Sequence, residues 1–419
     1  MTNSVQKKYN YNFPLFLIIF FPIFPFLGRV FAEIAVFFII IFFLYEIFKS
    51  KNYKDFKNFY FYYFLIFYLY FFIRTLFYSI EFDDYRTILF YIRFGLFFLA
   101  LNYFLTRVSF NKSYFIFISF FFIFVILDST IQYYYGTNII GIEAYRERAT
   151  SFFGKSLRLG SYLLRFFPFI LIFILIYNVN LKKNKFYLSL FFAFYAHTIF
   201  LTGERTSFFL LVLMFLLIFL LLNKFRTILI LSCIFFIVIV SLSNSFSKKK
   251  PYDRIFNTTI YQVVEKDEKN QNFSLKIFSK EHQGHYMVAW RMFLDNPLFG
   301  QGINSFSNLC SVEKFKKEDG ICTNHPHNSY LQLLSEAGLL GFLFIFSILF
   351  MISKLFFIRI FFKKKNKAHL NKYQLIKYVS LIAIFINLWP LSPNGSFFNN
   401  WLSSMYYYPV GFYLFSLNK

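Results

Sequence analysis

The chain has 419 residues, of which 58% are hydrophobic, 26% are aromatic and only 15% are charged. Because a soluble domain of this length carries about 25% charged residues, the composition excludes an ordinary soluble enzyme and favours a membrane protein. The formal net charge is +24, which on a soluble protein would suggest nucleic-acid binding. Here the excess lies in short loops, and it indicates membrane topology and attraction to anionic lipid.

Apolar runs of roughly the length that crosses a bilayer recur along the whole chain. About twelve are present, at 13–27, 30–48, 58–80, 87–105, 113–130, 160–179, 185–202, 206–223, 227–243, 329–358, 374–390 and 401–417. They predict an all-α polytopic protein with about twelve transmembrane helices and one long loop. The predicted organisation is a membrane region at 1–243 (about nine helices), the loop at 244–328 with short helices, and a membrane region at 329–419 (about three helices).

Lysine and arginine are concentrated in alternate loops between these runs. The loop after the second run holds Lys49, Lys51, Lys54 and Lys57, whereas the loops at 81–84 and 391–395 contain neither residue type. Because positive loops mark the cytoplasmic side, both termini are predicted to be cytoplasmic. The loops at 131–159, 203–205 and 244–328 then lie on the outer face.

The long loop contains a predicted amphipathic helix and four histidines, His282, His285, His325 and His327. His327 immediately precedes the apolar run that begins near Ser329, and Pro326 stops regular structure before it. An imidazole at the mouth of a membrane helix can act as a general base near neutral pH, although a structural role fits the pattern equally well. No carboxylates or thiolates at metal-ligand spacing accompany the histidines, so we predict no metal site.

Arg205 lies in the sequence Leu201-Thr202-Gly203-Glu204-Arg205, a short turn between two apolar runs. An arginine fixed at the membrane surface can grip a phosphate through two parallel hydrogen bonds. Pairing with Glu204 or contact with a lipid headgroup is the alternative. Arg148 and Arg165 bracket a further outer segment, and a charge inside a membrane run, as at Arg165, usually marks a site or pathway.

The sequence gives no sign of a bound nucleotide or other cofactor, because it has neither a Walker A motif nor a Rossmann glycine pattern nor an HExxH motif. Of the three cysteines, Cys310 and Cys322 flank a short charged segment of the long loop. If that loop lies in an oxidising compartment, these two cysteines can form a disulfide.

Four segments resemble the O-antigen ligase and O-antigen polymerase family, and one of them, Arg148 through Arg165, is similar to the family's earlier outer loop. Of the other three, the first runs from Asp295-Asn296-Pro297-Leu298-Phe299-Gly300-Gln301-Gly302 through His325-Pro326-His327-Asn328-Ser329-Tyr330 to Ser335-Glu336-Ala337-Gly338-Leu339-Leu340-Gly341. The second, Gly203-Glu204-Arg205-Thr206, is similar to the family's arginine turn. The third, Pro390 to Trp401, is similar to its C-terminal motif.

The resemblance implies an inverting glycosyl transferase of the bacterial inner membrane, with its active site on the periplasmic face. The implied donor is a glycan on undecaprenyl pyrophosphate, and the implied acceptor is lipid A-core or another glycan. By the same resemblance, His327 is the base and Arg205 holds the pyrophosphate, with no nucleotide, metal or other cofactor.

Many family members carry an arginine in the amphipathic loop helix, and here His282 takes that position, followed by His285. Arg148, Arg165, His285 and Arg291 are therefore the candidates for the second phosphate contact. Glu204, His325 and His282 are expected to position these groups.

We slightly favour a ligase that transfers to lipid A-core over a polymerase that extends a lipid-linked glycan. Two other classes of protein remain open. A polytopic transporter fits the number of apolar runs and the intramembrane charges. A membrane-anchored structural protein whose loop binds a partner is the other.

Overall fold

The computed structural model describes residues 11–78, 81–246, 251–266, 273–275, 278–362 and 370–419, and these are almost entirely helical. Seventeen α-helices occur in these ranges: α1 Asn12–Ile19, α2 Ile23–Leu27, α3 Arg29–Ser50, α4 Phe59–Tyr78, α5 Phe82–Arg107, α6 Lys112–Tyr135, α7 Leu159–Ile176, α8 Lys185–Leu201, α9 Arg205–Leu221, α10 Arg226–Phe246, α11 Thr258–Val263, α12 Lys280–Asp295, α13 Ser305–Leu309, α14 Glu313–Lys316, α15 Ser329–Phe357, α16 Lys372–Asn387 and α17 Asn400–Leu417. Two short strands, β1 Val264–Lys266 and β2 Phe273–Leu275, pair antiparallel within the long loop, with Val264 opposite Leu275.

The prediction of an all-α polytopic membrane protein is confirmed, because each of the twelve predicted apolar runs is helical over most of its length. Among the described residues, seven helices are long and apolar enough to cross a membrane, and α8 and α9 are shorter apolar helices. The first predicted run is divided into α1 and α2 by a turn at 20–22. Two groups of lysines lie outside the described residues: Lys7 and Lys8 near the N-terminus, and Lys363 to Lys367 after the tenth apolar run.

Helix α7 is the centre of the bundle. Of its most apolar stretch, 94% is buried, and it packs against α8, α9 and α16. Because α7 has no lipid-facing side, its apolar side chains lie inside one hydrophobic core shared with the surrounding helices. The start of this helix therefore lies in the middle of one end of the bundle.

Four connections lie at that end, which we call the loop end: residues 136–158, the turn at 202–204, the described parts of the long loop (251–266, 273–275 and 278–328) and residues 388–399. The predicted amphipathic helix of the long loop is α12. It packs with α13 and α14 around a small core of their own, which consists of Val288, Ala289, Met292, Phe306, Cys310 and Phe315. The described parts of the long loop therefore contain the short helices that the sequence predicts.

Helix α15 is interrupted at Gly338, whose φ of 64° and ψ of −167° are not helical. The break is bridged by the segment 297–302, which lies alongside it. The Gln301 N–H donates to the Ser335 carbonyl oxygen at 2.8 Å, and the Leu339 N–H donates to the Pro297 carbonyl oxygen at 2.8 Å. Backbone groups that the interruption frees thereby find partners, as a buried break in a membrane helix requires.

Two glycines allow this close backbone approach. A Cβ atom at Gly338 would lie 2.4 Å from the Leu298 carbonyl carbon, and one at Gly300 would lie 2.4 Å from the Glu336 carbonyl carbon. Both glycines also have a positive φ, which other residues adopt only at a cost. The two sequence motifs that contain these glycines are therefore one structural unit.

We expect Gly338→Ala to lower the free energy of unfolding by about 3 kcal/mol or more, because a positive φ and a backbone clash are combined there. Gly302→Ala is the matched control: Gly302 has a φ of 106°, but nothing lies within 4 Å of the place that a Cβ atom would take. That variant should lose only about 1–2 kcal/mol. Thermal unfolding of the purified protein in detergent measures both, and equal midpoints would contradict close packing at Gly338.

Candidate active site

A cavity of about 740 Å³ opens at the loop end and is lined by residues from all four connections. Among the described residues, its wall contains six arginines but a single carboxylate, Glu204. The arginines are Arg29, Arg148, Arg158, Arg165, Arg205 and Arg254. His325 and His327 line the same cavity, so the structure brings the predicted base together with Arg205, Arg148 and Arg165.

The turn at 202–204 is held by two arginines from other connections. The Arg148 Nε donates to the Thr202 carbonyl oxygen at 2.5 Å, and the Arg254 Nε donates to the Gly203 carbonyl oxygen at 3.3 Å. Gly203 has a φ of 61°, so this tight turn needs a residue that tolerates the left-handed region. Arg205 follows directly as the first residue of α9, which places three guanidinium groups around one turn.

Helix α6 fixes the segment that carries Arg148. The Gln132 Oε1 accepts hydrogen bonds from the Thr150 and Ser151 N–H groups at 2.7 and 2.6 Å. The carboxylate of Asp128, buried in the same helix, accepts from the Ile139 N–H at 3.1 Å and from the Ser151 hydroxyl. Asp128 thus binds backbone and hydroxyl donors instead of neutralising an arginine.

Glu204 caps the start of α7. Its two carboxylate oxygens accept from the Gly160 N–H at 2.7 Å and the Ser161 N–H at 2.9 Å, which are otherwise unpaired at a helix N-terminus. Burial raises the pKa of Glu204, so this carboxylate offsets at most one of the six arginine charges. These contacts connect the arginine turn to the central helix.

Arg165 lies one and a half turns into α7 and is only 8% exposed. Its Nη1 donates to the Ser161 carbonyl oxygen at 3.2 Å, and its Nη2 donates to Asn394 Oδ1 at 3.3 Å. Asn394 belongs to the C-terminal motif, whose residues from Ser392 to Ser396 line the cavity. The Arg165 Nε is buried without a hydrogen-bond partner among the described residues.

His327 has a φ of 56°, a left-handed conformation that is uncommon for a residue with a side chain. Its carbonyl oxygen accepts from the Asn394 N–H at 2.8 Å. The following residue, Asn328, caps α15 by accepting from the Tyr330 and Leu331 N–H groups at 2.9 and 3.1 Å. Backbone contacts on both sides therefore fix the imidazole at the cavity wall, and such strained positions are often functional.

Three other histidine rings surround His327, with centroids at 4.2 Å for His325, 5.2 Å for His285 and 5.7 Å for His282. Burial, followed by the like charges of His325, His285 and His282, lowers the pKa of His327 to about 4. Its imidazole is therefore neutral at physiological pH and is able to accept a proton.

The predicted residues of α12 do not line the cavity. His285 is buried behind His327 with its Nδ1 2.9 Å from the Ile321 carbonyl oxygen. The ring of His282 lies 5.7 Å from that of His327, and burial, then His285 and Arg205, lowers its pKa. The structure places both in the environment of His327 and so favours a supporting role for His285 over phosphate contact.

The structure does not bring Arg291 to the cavity, and the expectation that it contacts phosphate has no geometric support. Its Nη2 donates to both carboxylate oxygens of Asp319 at 2.6 and 2.7 Å, and its Nη1 donates to the Phe315 and Lys316 carbonyl oxygens. Six residues separate Arg291 from His285, which places it on another face of α12. Arg291 therefore holds α14 and the segment after it.

Cys310 and Cys322 are joined as a disulfide, with Cα atoms 5.2 Å apart. The bond closes the segment that contains Asp319 and Ile321, the partners of Arg291 and His285. Among the described residues, no group of three or more His, Cys, Asp and Glu side chains is arranged to hold a metal ion.

Three arginines of the cavity were missed by the sequence reasoning, namely Arg29, Arg158 and Arg254. Arg29 begins α3, Arg158 precedes α7, and Arg254 lies in a π-helical turn at Asp253–Asn257 of the long loop. Their signal in the sequence is weak, since a basic residue beside an apolar run is usually a topology signal. Only the fold brings them together.

The cavity is strongly cationic. Burial, then Arg254, lowers the pKa of Arg148 to about 10, and Arg205 and Arg146 add to this effect. Arginines stay protonated at neutral pH despite such shifts, and Glu204 offsets only part of the repulsion that Arg148 experiences. The arrangement is suited to bind a phosphate-rich ligand beside a neutral imidazole.

Comparison with known proteins supports the resemblance seen in the sequence. Residues 188–346 match the family model described as O-Antigen ligase, a range that contains Arg205, Arg254 and His327. A search of curated proteins gives no match. The match and the membrane-spanning helices indicate a ligase- or glycosyltransferase-type enzyme of the bacterial inner membrane that acts on a lipid-linked glycan and an acceptor. The match confirms, over these residues, the resemblance to the O-antigen ligase and O-antigen polymerase family of lipopolysaccharide biosynthesis.

Proposed function

We propose that this enzyme transfers a glycan from undecaprenyl pyrophosphate to a lipid A-core acceptor on the periplasmic face, with inversion at the anomeric carbon. The observation that carries the proposal is that a neutral, fixed imidazole and a cluster of arginines line one cavity. The position of this cavity at the loop end suits a donor whose lipid stays in the bilayer.

The donor pyrophosphate binds to the arginine turn, through Arg205, Arg148 and Arg254. Guanidinium groups match phosphate oxygens in bidentate geometry, and three of them around one turn neutralise charge on both phosphates. Many relatives carry an arginine in the loop helix, where this chain has His282. Arg254 supplies the phosphate contact that this arginine would make. Arg165, whose Nε is buried without a partner among the described residues, adds a donor deeper in the cavity.

In the reaction, an acceptor hydroxyl attacks the anomeric carbon from the side opposite the pyrophosphate. The new carbon–oxygen bond forms as the bond between the anomeric carbon and the phosphate oxygen breaks, and the hydroxyl proton passes to His327. The electron pair leaves with undecaprenyl pyrophosphate, whose added negative charge the arginines stabilise. A base with a pKa of about 4 is weak, so the proton moves late, when the attacking oxygen has become acidic.

Two acceptors offered separately test this function. Purified protein is given a glycan on undecaprenyl pyrophosphate together with lipid A-core, or with more of the same lipid-linked glycan. We expect glycan on lipid A-core. A ladder of longer lipid-linked glycans would assign a polymerase instead, and a lack of product with both acceptors, together with solute movement into liposomes, would assign a transporter.

We expect His327→Ala to lower kcat by about 10²- to 10⁴-fold, the usual contribution of a general base.

In the unsubstituted enzyme only the neutral imidazole of His327 is active. Since that form exists above the pKa, kcat/KM should fall on the acid side with a midpoint near about 4. Replacing His325 with Asn removes the largest like charge and should move this midpoint to higher pH. A midpoint that His325→Asn leaves unchanged would contradict the assignment of His327 as the titrating base.

We expect Arg205→Lys to raise the KM for the donor by about 10-fold or more, because lysine cannot reproduce a bidentate phosphate contact. Arg291→Lys is the control: it alters the same residue type on the same face of the membrane but lies outside the cavity. It should lower the unfolding midpoint slightly and leave the donor KM unchanged. Donor titrations at saturating acceptor measure both variants; a silent Arg205→Lys would make the turn purely structural.

A further inference from the structure

Arg29 and Arg158 form a second basic pair in the cavity, apart from the arginine turn. Both line the cavity, Arg29 as the first residue of α3 and Arg158 as the residue before α7. Neither has an ion-pair partner among the carboxylates of the described residues. The proposed donor contacts use neither of them, so the mechanism leaves this pair unexplained.

Specific packing brings the pair together. Phe26, three residues before Arg29, contacts the rings of Phe153 and Tyr162 with centroids 5.4 and 5.7 Å away. The Tyr162 hydroxyl donates to the Pro22 carbonyl oxygen at 2.6 Å. Because Tyr162 lies one turn after Arg158, these contacts fix the start of α3 beside the start of α7.

The two basic groups of the cavity have different neighbours. Burial and then Arg29 lower the pKa of Arg158, whereas burial and then Arg254 and Arg205 lower that of Arg148. Guanidinium groups at short range repel, and an anion between Arg29 and Arg158, whose side chains are both exposed, would relieve that repulsion. The pair therefore has the charge and placement of a separate anion site.

The total charge leads to the same conclusion. Six arginines and one carboxylate give the cavity a formal excess of five positive charges. A pyrophosphate that links a lipid to a sugar carries one negative charge on each phosphate. Donor binding therefore leaves a substantial excess, which a second anionic group on the other substrate would reduce.

We propose that Arg29 and Arg158 bind a phosphate group of the lipid-borne acceptor and so select acceptors that are phosphorylated near the attacking sugar. This inference rests on the proposed function and specifies its second substrate. If lipid A-core is the acceptor, the phosphate belongs to its core part. If a second lipid-linked glycan is the acceptor, the phosphate belongs to its pyrophosphate. The neighbouring ring of Trp401, which stacks on Tyr162 and lines the cavity, offers a flat apolar surface beside this site.

A bulk phospholipid headgroup is the competing source of phosphate, since arginines near a bilayer surface attract anionic lipid. The two sources differ in what the arginines should affect. An acceptor site changes the affinity for phosphorylated acceptor alone, in any lipid. A headgroup site changes behaviour only when anionic phospholipid is present.

The test compares Arg29→Gln and Arg158→Gln with Lys155→Gln, a control in the same connection that is exposed and does not line the cavity. Proteins in nanodiscs of phosphatidylcholine, with or without phosphatidylglycerol, are titrated with lipid A-core, with phosphatase-treated lipid A-core and with lipid-linked glycan. Binding is measured on the His327→Ala background, so that no turnover is needed, and acceptor KM on the active background.

We expect each arginine substitution to weaken binding of lipid A-core, or of the lipid-linked glycan if that is the acceptor, by about 10-fold. Dephosphorylated acceptor should bind the arginine variants and the unsubstituted protein equally, and Lys155→Gln should bind every acceptor like the unsubstituted protein. An unchanged donor KM shows that the variants are folded. The inference is overturned by equal losses for phosphorylated and dephosphorylated acceptor, by a loss confined to phosphatidylglycerol discs, or by no loss.

Failure of the proposed function gives a different result. It would appear as an absence of product from the unsubstituted enzyme with either acceptor. The binding arm still reports whether Arg29 and Arg158 recognise acceptor phosphate, because it needs no catalysis.

Discussion

The contact on which the site depends is the backbone pairing between residues 297–302 and the interrupted part of α15. A helix that crosses a bilayer cannot leave carbonyl and amide groups unpaired in apolar surroundings, so an interruption needs a second strand of chain to satisfy it. Here the neighbouring segment comes from the long loop, and Gly300 and Gly338 allow the two backbones to touch. The pairing fixes the loop against the bundle and sets where the first part of α15 ends, at Gly338. Together with the Asn328 cap and the Asn394 contact, it fixes the position of the imidazole relative to the arginines.

Three buried carboxylates of this structure accept hydrogen bonds from backbone N–H groups. Asp128 holds the segment that carries Arg148, Glu204 caps α7, and Glu336 accepts from Gln332 Nε2 at 3.1 Å and from the Phe306 N–H at 3.4 Å. Each acid stabilises a turn or helix end and leaves the guanidinium groups of the cavity largely unneutralised. The scaffold thus keeps the cavity cationic, which raises the cost of the empty state and the gain on binding an anion.

The fold class was predictable from the sequence because apolar run length is a local property that a bilayer imposes. His327 and Arg205 were found because each lies in a compact motif whose residues act within a few positions of one another. Arg29, Arg158 and Arg254 were missed because their convergence depends on the packing of Phe26 on Tyr162 and on the path of the long loop, which no local pattern encodes. Arg291 was misplaced for a similar reason: its partner, Asp319, lies 28 residues further along the chain.

The small core of α12, α13 and α14 has a consequence for motion during turnover. This core, the Cys310–Cys322 bond and the Arg291–Asp319 pair together make one stiff unit, and the Ile321 contact joins His285 to it. Arg254 lies before this unit in the chain and contacts the Gly203 carbonyl oxygen instead. Any movement of the unit as a bulky glycan enters or leaves would carry His285 with it, whereas Arg254 is attached to the arginine turn.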